Sequence, residues 1–298
     1  LVSFIKVGGA EKVLFNFIDM IKNIYKGEKI TVIATSQSES SGKSKLPNDV
    51  EFIDIGNLPH YFDDWKKENL LQKLLIQKAP SHIYNISSEL GFVVFHKYGQ
   101  ALCARSALFA FMFCEFYDNF GKMCGYGTSY LDDCFDYLTK VFTDNQRYID
   151  LLCNIYGFNK DKFVPLYQPA EVLDISKKKY HTNRELHLLW ASRLDRQKHP
   201  EIIYEVAKNC LDFPVHIDVY GTKVLDKYFI PEKYHLPNIE YKGTFSNGLK
   251  EIASDYDGFI YTSEYDGMPN IILEAIGVGL PIISSNVGGI GDLLEDKK

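Results

Sequence analysis

A cluster of cationic side chains precedes a predicted helix in the second half of the chain. Residues 193–199 read Arg-Leu-Asp-Arg-Gln-Lys-His, and Pro200 suits the first turn of a helix. A helix N-terminus carries a partial positive charge, so cations crowded there are locally unfavourable. A bound polyphosphate would relieve this, because Arg193 offers a planar fork of donors and Lys198 a point charge. The alternative is a loop whose charges are simply solvated.

A second candidate segment follows the apolar run 259–261. Residues 263–279 read Ser-Glu-Tyr-Asp-Gly-Met-Pro-Asn-Ile-Ile-Leu-Glu-Ala-Ile-Gly-Val-Gly. Pro269 indicates a helix start, and Gly279 indicates a stop before Pro281. The backbone N–H groups around that start have no helical partner, so they can bind an anion or sugar hydroxyls.

Glu274 is a carboxylate within this otherwise apolar helix, one turn after Asn270. A carboxylate there is costly unless it is paired or accepts hydrogen bonds, and the two hydroxyls of a ribose would supply them. The alternative is a glutamate at the helix edge that reaches solvent or caps a neighbouring loop.

Gly8-Gly9-Ala10-Glu11 follows the first predicted strand and opens the first predicted helix. Glycine lets a ligand approach the backbone closely, and the helix N-terminus favours a phosphate. The segment lacks the G-x-G-x-x-G pattern, however, and a tight strand-to-helix turn needs glycine in any case. Alone it is a weak indication of phosphate binding.

These residues lie in a chain whose short strand patterns alternate with helical ones, which is typical of βαβ units and a mainly parallel sheet. In the first half, strands are predicted near 1–6, 30–35, 50–55, 82–86, 107–113, 139–143 and 162–167, with helices near 10–25, 62–78, 89–104 and 145–156. The stretch 168–185 has the composition of a linker. In the second half, strands are predicted near 186–192, 214–220, 238–242, 257–261 and 281–284, with helices near 200–209, 248–254 and 269–278.

The sequence therefore predicts two Rossmann-like α/β domains, residues 1–168 and 169–298. In such open sheets the ligand binds beyond the carboxyl ends of the strands, where loops lead into helices. A further helix or two would be expected after Lys298 if the second domain matched the first, so we expect the C-terminal domain to be truncated.

Composition excludes several classes of protein. The chain has 298 residues and a net charge of −6, which argues against a surface built to attract nucleic acid. No apolar run approaches the roughly 20 residues of a membrane-spanning helix. The six cysteines have no metal-site spacing and are interpreted as free thiols in a reducing cytosol. Residues 255–257 read Asp-Tyr-Asp but precede a strand, so we interpret them as a turn. The expectation that no metal or other cofactor is needed comes from the family resemblance described next.

Taken together, the motifs resemble glycosyltransferase family 4. The resemblance rests on Gly8-Gly9-Ala10-Glu11, on Arg193 with Lys198 five residues later, and on Asp266 with Glu274 eight residues later, followed by Gly279-Leu280-Pro281. It implies the GT-B architecture, in which two Rossmann-like domains face each other across a cleft and the C-terminal domain binds the donor. It also implies a metal-independent reaction with retention of anomeric configuration.

The resemblance implies roles for individual residues. Arg193 and Lys198 would hold the donor diphosphate and stabilise the charge that builds on it as the glycosidic bond breaks. Asp266 and Glu274 would be the two acids of the family's E-x7-E motif, with Glu274 on the ribose. The positions expected to contact or border the donor are Gly9, from the opposite domain, Gly221, Gly243, Gly267, Met268, Pro269 and Asn270.

Two departures from the family pattern affect this assignment. Asp266 stands where the family has glutamate, one methylene longer, so a water-mediated contact or a shifted sugar preference is expected. A histidine frequent near the end of the fourth N-domain strand is missing, and Ser87 and Glu89 are the candidates for its role. The alternative there is that Ser87 or Ser88 caps the next helix. Glu115, after the following strand, is a candidate for the acceptor side, with a surface loop as the alternative.

The predicted function is transfer of a hexose or related sugar from a UDP- or GDP-sugar. The resemblance implies a surface-polysaccharide or lipid-linked glycan as the acceptor. The predicted location is the cytoplasm, with peripheral contact at the inner face of the cell membrane through the lysines at 22, 26, 29, 66 and 67. The alternative is that these lysines are simply solvated on helix faces. The alternatives are a non-catalytic nucleotide-sugar-binding protein of the same fold and an NAD-dependent dehydrogenase, which lacks its glycine fingerprint here.

Overall fold

A computed structural model of the protein describes residues 1–6, 8–118, 120–172, 185–222, 235–246 and 248–294. The chain divides into two compact units, Leu1–Gln168 and Pro169–Lys298. Most of the predicted linker, residues 173–184, lies outside the described residues. No helix among those described is both long and apolar enough to cross a membrane.

The first unit is built on parallel strands. Its strands are β1 (Thr31–Ala34), β2 (Glu51–Asp54), β3 (His82–Asn85), β4 (Ala107–Met112), β5 (Phe116–Tyr117), β6 (Met123–Cys124), β7 (Lys140–Thr143) and β8 (Phe163–Pro165). Strands β1 and β2 pair with each other, and a four-stranded sheet has the order β3-β4-β7-β8. All of these pairings are parallel, which agrees with the βαβ pattern of the sequence.

The predicted strand at residues 1–6 is not a regular strand. Val2 forms an isolated parallel bridge with Ala34, and its N–H donates to the Ile33 carbonyl at 3.0 Å. On the other side, the N–H of Ile86 donates to the Leu1 carbonyl at 2.9 Å. These first residues therefore connect β1 to the end of β3 through a few hydrogen bonds, without the repeated pairing that defines a strand.

Helices cover the strands of the first unit, and their N-caps follow from the sequence. They are α1 (Gly9–Ile24), α2 (Asp64–Lys78), α3 (Glu89–Cys103), α4 (Asp132–Cys134) and α5 (Gln146–Tyr156). The side chains of Asp63, Ser88 and Asn145 each accept a backbone N–H from the first turn of α2, α3 and α5. Helices α2, α3, α4 and α5 pack on a core that includes Leu71, Phe92 and Phe95, and α1 packs on a second core with Phe17.

The segment between β4 and α4 contains structure that the sequence patterns do not predict. Strands β5 and β6 form a short antiparallel hairpin. A single π-helical turn, Gly127–Leu131, follows it and continues into α4. Turns of this type are rare and are frequently found at functional sites.

The second unit contains one fully parallel sheet. Its strands are β9 (Leu186–Ala191), β10 (Val215–Tyr220), β11 (Ile239–Gly243), β12 (Gly258–Tyr261) and β13 (Ile282–Ser284), in the order β11-β10-β9-β12-β13. Trp190, Phe259 and Tyr261 are among its largest fully buried side chains. Because the strands run parallel, the loops after all five leave the same edge of the sheet.

Three helices of the second unit are described: α6 (Pro200–Asn209), α7 (Asn270–Gly277) and α8 (Ile290–Leu293). Helices α6 and α7 lie where the sequence predicts them. The helix predicted near 248–254 is wrong, because the chain there forms two 3-10 turns, Leu249–Glu251 and Ala253–Asp255. Gly248, with φ of +78°, precedes the first of these turns.

Candidate active site

The two motif loops of the second unit meet at the carboxyl edge of the sheet. Strands β9 and β12 are neighbours, so the loop after Ala191 and the loop after Tyr261 leave the edge side by side. The Thr262 hydroxyl donates to the Lys198 carbonyl at 2.8 Å, and the Glu264 N–H donates to the Gln197 carbonyl at 2.9 Å. The structure thus brings together residues that are more than 60 positions apart in the sequence.

Lys198 is the most enclosed cation of this site. Its side chain is 8% exposed, and its ammonium donates to the Tyr261 hydroxyl at 2.8 Å and to the Asp266 carboxylate. The Tyr261 hydroxyl also hydrogen-bonds Asp266. Burial, and then the negative charge of Asp266, raise the pKa of Tyr261, so its hydroxyl stays protonated at neutral pH.

Arg193 is held beside Lys198 by its own loop. Nη1 lies 3.0 Å from the Asp195 carboxylate, and Nη2 donates to the Gln197 amide oxygen at 2.6 Å. The prediction that these cations are crowded without compensation is therefore wrong. Asp195 pairs with Arg193, and Asp266 pairs with Lys198. The side chain of Arg193 is still 31% exposed and remains accessible to a ligand.

Helix α7 begins directly after the predicted start signal Pro269. Gly267, Met268 and Pro269 are buried, and Asn270 is the first residue of the helix. The first hydrogen bonds of the helix come from the N–H groups of Ile272 and Leu273 to the Pro269 carbonyl, so the N–H groups of Asn270 and Ile271 precede them. Among the described residues, the buried Oδ1 atom of Asn270 has no hydrogen-bond partner.

Glu274 is half-buried on α7 and makes the loop contact that was the alternative to a ribose contact. Its Oε2 atom accepts the Leu249 N–H at 3.1 Å, which caps the 3-10 turn Leu249–Glu251. A methyl group at Gly248 would lie 3.0 Å from the same oxygen, so the loop approaches the carboxylate closely. The predicted ribose contact stays a prediction.

Three glycines shape the edge around these side chains. The Gly221 N–H donates to the Gly243 carbonyl at 2.7 Å, so the structure brings these two predicted residues together. Gly221 has φ of +155°, and a Cβ there would lie 1.8 Å from the Ser192 carbonyl oxygen. Gly288, not predicted, has φ of +50°, and a Cβ would lie 1.9 Å from the Asp266 carbonyl oxygen. Only glycine fits at both positions.

In the first unit, the predicted residues Ser87, Glu89 and Glu115 all contact one segment, residues 126–130. Tyr126 donates to the Ser87 carbonyl at 3.0 Å, and Tyr130 donates to Glu89 at 2.7 Å. Ser88, rather than Ser87, caps α3, as the alternative interpretation allowed. Burial, followed by the bond to Glu89, raises the pKa of Tyr130 to about 12.

Glu115 differs from both sequence interpretations, since it is neither an open acceptor-side group nor part of a surface loop. It is 7% exposed, and its carboxylate accepts the Tyr148 hydroxyl at 2.5 Å and the Thr128 N–H at 3.1 Å. Burial raises the pKa of this carboxyl group despite these donors. Gly125 and Gly127 fit against it because a Cβ at either would overlap its oxygens. We conclude that Glu115 anchors the β5–β6 hairpin.

Gly9, the remaining predicted contact, is the first residue of α1 and is exposed. Its position at a helix N-terminus agrees with the sequence, and its predicted role toward the diphosphate stays a prediction.

Sequence reasoning missed Tyr261, Gly288 and the segment 126–130. Tyr261 ends a strand of wholly buried residues, where an aromatic side chain reads as core. The sequence of segment 126–130 lacks the periodicity of an α-helix, and this segment contains most of the π turn. Only the paired glycines of 125–127 gave a signal of close packing.

One group of side chains in the described part of the chain could hold a metal ion. His216, Asp218 and Glu240 can each place a ligand atom within 4.8 Å of the others. The ammonium of Lys242 lies 2.6 Å from Glu240 and 3.9 Å from Asp218, so a cation already compensates these carboxylates.

Comparison with known proteins identifies the fold and a partial family match. The family model described as "Glycosyl transferases group 1" matches residues 185–298, which contain both motif loops. The outer core galactosyltransferase WaaB superposes with a TM-score of 0.74 over 99% of this chain and 82% of that one, at 15% identity. The chain has the GT-B fold. The Anabaena protein Alr3699/HepE, solved with UDP and glucose, superposes at 0.71 over 97% and 80% of the chains, at 17% identity.

Curated relatives from Escherichia coli share part of the sequence. The O-antigen biosynthesis glycosyltransferase WbnH and the probable O-antigen biosynthesis glycosyltransferase WbiN are each 30% identical over 110 residues. That stretch is 36% of this chain and 31% of the length of either relative.

Proposed function

We propose that this GT-B protein is a glycosyltransferase of family 4. It transfers a hexose from a UDP- or GDP-sugar, with retention of configuration, to a surface-polysaccharide or lipid-linked glycan. The observation that carries the proposal is the junction of the Arg193–Lys198 loop with the Asp266–Glu274 segment at the carboxyl edge of the second sheet. A glycan acceptor is supported by the O-antigen role that the names of WbnH and WbiN state.

In this mechanism, Arg193 and Lys198 bind the donor diphosphate. As the bond from the anomeric carbon to the diphosphate breaks, negative charge grows on the leaving group, and the two cations stabilise it. Asp195 pairs with Arg193 and Asp266 pairs with Lys198, so donor binding exchanges these anionic partners for the diphosphate. A charge that is paired both before and after binding avoids the cost of an isolated buried ion.

The start of α7 binds the donor sugar, and Glu274 binds the ribose. The N–H groups of Asn270 and Ile271 and the unpartnered Oδ1 of Asn270 offer both donors and an acceptor to sugar hydroxyls. Glu274, whose carboxylate already accepts the Leu249 N–H, binds the ribose from α7. No metal ion is assigned a role in this mechanism.

We place the protein in the cytoplasm, in peripheral contact with the membrane that carries a lipid-linked acceptor. Lys26 and Lys29 are exposed and available for anionic headgroups. Lys22 pairs with Asp49, and Lys67 donates to the Gly56 carbonyl at 2.9 Å, so these two contribute less to such contact.

A thermal-shift screen with UDP-, GDP-, ADP- and dTDP-sugars tests the donor assignment. A ligand at about 100 times its Kd stabilises the folded protein by about 2.7 kcal/mol. We expect a rise in Tm with a UDP- or GDP-sugar and none with NADH, which excludes the dehydrogenase alternative. A rise without any subsequent transfer would favour the non-catalytic binding protein, and NMR of the product linkage distinguishes retention from inversion.

A further inference from the structure

The Lys198–Tyr261–Asp266 cluster contains a hydroxyl group that the proposed mechanism does not use. Tyr261 is the last residue of β12 and is 2% exposed. Its hydroxyl accepts a hydrogen bond from the Lys198 ammonium at 2.8 Å and donates one to Asp266 Oδ2. The same Oδ2 atom also accepts from Lys198, so the three groups form a closed triangle.

Lys198 pairs with Asp266 in this triangle, and the proposed mechanism also requires it to bind the donor diphosphate. The side chains of Lys198 and Asp266 are only 8% and 18% exposed. If Lys198 turns toward a diphosphate, Asp266 loses its cation in a place where water reaches it poorly. A poorly hydrated carboxylate without donors is destabilised, and this would oppose ligand binding.

Tyr261 can keep a hydrogen bond to Asp266, because its side chain cannot move with Lys198. Its ring packs in the core of the second unit, beside the ring of Phe259 at 6.4 Å between centroids. The hydroxyl therefore stays in place and keeps donating to Oδ2, while the Gly267 N–H donates to Oδ1 at 3.2 Å. Both oxygens of Asp266 retain a donor after Lys198 has turned.

We propose that Tyr261 is a positioning residue that holds the Asp266 carboxylate and so frees Lys198 to bind the donor diphosphate. The inference rests on the proposed function and adds Tyr261, which lies outside the residues that carry the family resemblance. Burial and the charge of Asp266 raise the pKa of Tyr261, so the proton that it donates is present throughout the neutral range.

A double-mutant cycle of Tyr261→Phe with Asp266→Asn tests the proposal, with UDP and GDP binding measured by calorimetry. Phenylalanine keeps the ring and removes only the hydroxyl. In the otherwise wild-type protein we expect the Kd of the bound nucleotide to rise at least about fivefold. In the Asp266→Asn background, where no carboxylate needs a donor, the same change should alter the Kd by less than about twofold.

Tyr256→Phe is the matched control. Tyr256 is 4% exposed, and its hydroxyl donates to the carboxylate of Asp218 at 2.8 Å, so the change removes the same kind of bond from the same unit. It should lower the free energy of unfolding and leave the Kd within about twofold of wild type.

Each other outcome has a distinct meaning. An unchanged Kd in Tyr261→Phe, or an equal loss in both Asp266 backgrounds, would overturn the positioning role. So would a loss in Tyr256→Phe as large as that in Tyr261→Phe, because general loosening would then explain both. If the wild-type protein binds neither nucleotide, the proposed function fails and this inference fails with it.

Discussion

At the scale of single residues, charge compensation defines the candidate site. Lys198 and Asp266 are 68 positions apart, and each has a separate role in the sequence-based prediction. The structure joins them through Tyr261, because β9 and β12 are neighbours in the sheet. Residue types and local spacing could predict which side chains do chemistry. They could not predict which carboxylate neutralises which cation, since that depends on strand order.

Glu274→Ala should raise the donor KM by several-fold, with a smaller effect on kcat, because a ribose contact made in both ground and transition states contributes uniform binding. Steady-state kinetics with the donor that the thermal-shift screen identifies would measure both constants.

Glu251→Ala is the control for this substitution. Glu251 accepts the Ser246 N–H at 3.2 Å in the same loop that Glu274 caps, but it lies on the loop itself rather than on α7. If both variants raise KM equally, Glu274 acts only through the loop, and its assignment to the ribose is wrong.

Glu115 should give the stability of the protein a measurable pH dependence. Burial raises the pKa of this carboxyl group in the folded protein above its ordinary value of 4.5. A raised pKa stabilises the fold below the unfolded value, and that stability is lost as pH rises through the folded value. Relative to Glu115→Gln, the wild type should therefore lose free energy of unfolding as pH rises above 4.5.

Urea unfolding at several pH values measures this difference. Asp150→Asn is the control of opposite sign, because a hydrogen bond from Lys160 lowers the pKa of the exposed Asp150. Its small contribution should disappear as pH falls. If the difference in free energy of unfolding between wild type and Glu115→Gln does not change with pH, the raised pKa of Glu115 is contradicted.

At the scale of elements, the loop after β13 sets the position of the Asp266 backbone. The Gly289 N–H donates to the Gly267 carbonyl at 2.9 Å, and Gly288 leaves no room for a side chain. Gly288→Ala should therefore displace the Asp266 segment, lower the Tm, and weaken donor binding by at least about tenfold, or about 1.4 kcal/mol.

Gly157→Ala provides the comparison, since Gly157 has φ of +69° with nothing within 4 Å of its Cβ position. Gly157→Ala should lower the free energy of unfolding only by the backbone strain of about 1 kcal/mol. It should leave the affinity for the donor unchanged. Equal donor affinities in both variants would show that the β13 loop does not position Asp266.

Regular elements were more predictable than irregular ones. The strands and helices that carry the motif loops follow from β-branched runs, helical periodicity, and the start signals Pro200 and Pro269. Local sequence did not predict the irregular elements, which are the hairpin β5–β6, the π turn 127–131 and the 3-10 turns after Gly248. Contacts with Glu115 and Glu274, rather than local sequence preference, stabilise these elements.

At the scale of the whole molecule, the fold and the function rest on different observations. Likeness to WaaB and HepE extends over nearly the whole chain at low identity, which establishes the GT-B fold. The family match is confined to residues 185–298, where the predicted donor site lies. The acceptor was the least predictable feature, since no motif in the first unit identifies it and the Glu115 carboxylate is buried against Tyr148 and Thr128.

The central claim is that Arg193 and Lys198 bind and activate a nucleotide-sugar donor. Release of nucleoside diphosphate from the donor that stabilises the protein, with a glycan acceptor present, tests it most directly. Arg193→Ala and Lys198→Ala should each lower turnover at least about tenfold. Lys208→Ala, which removes an exposed cation from α6, should match the wild type. Wild-type turnover in both site variants would contradict the account.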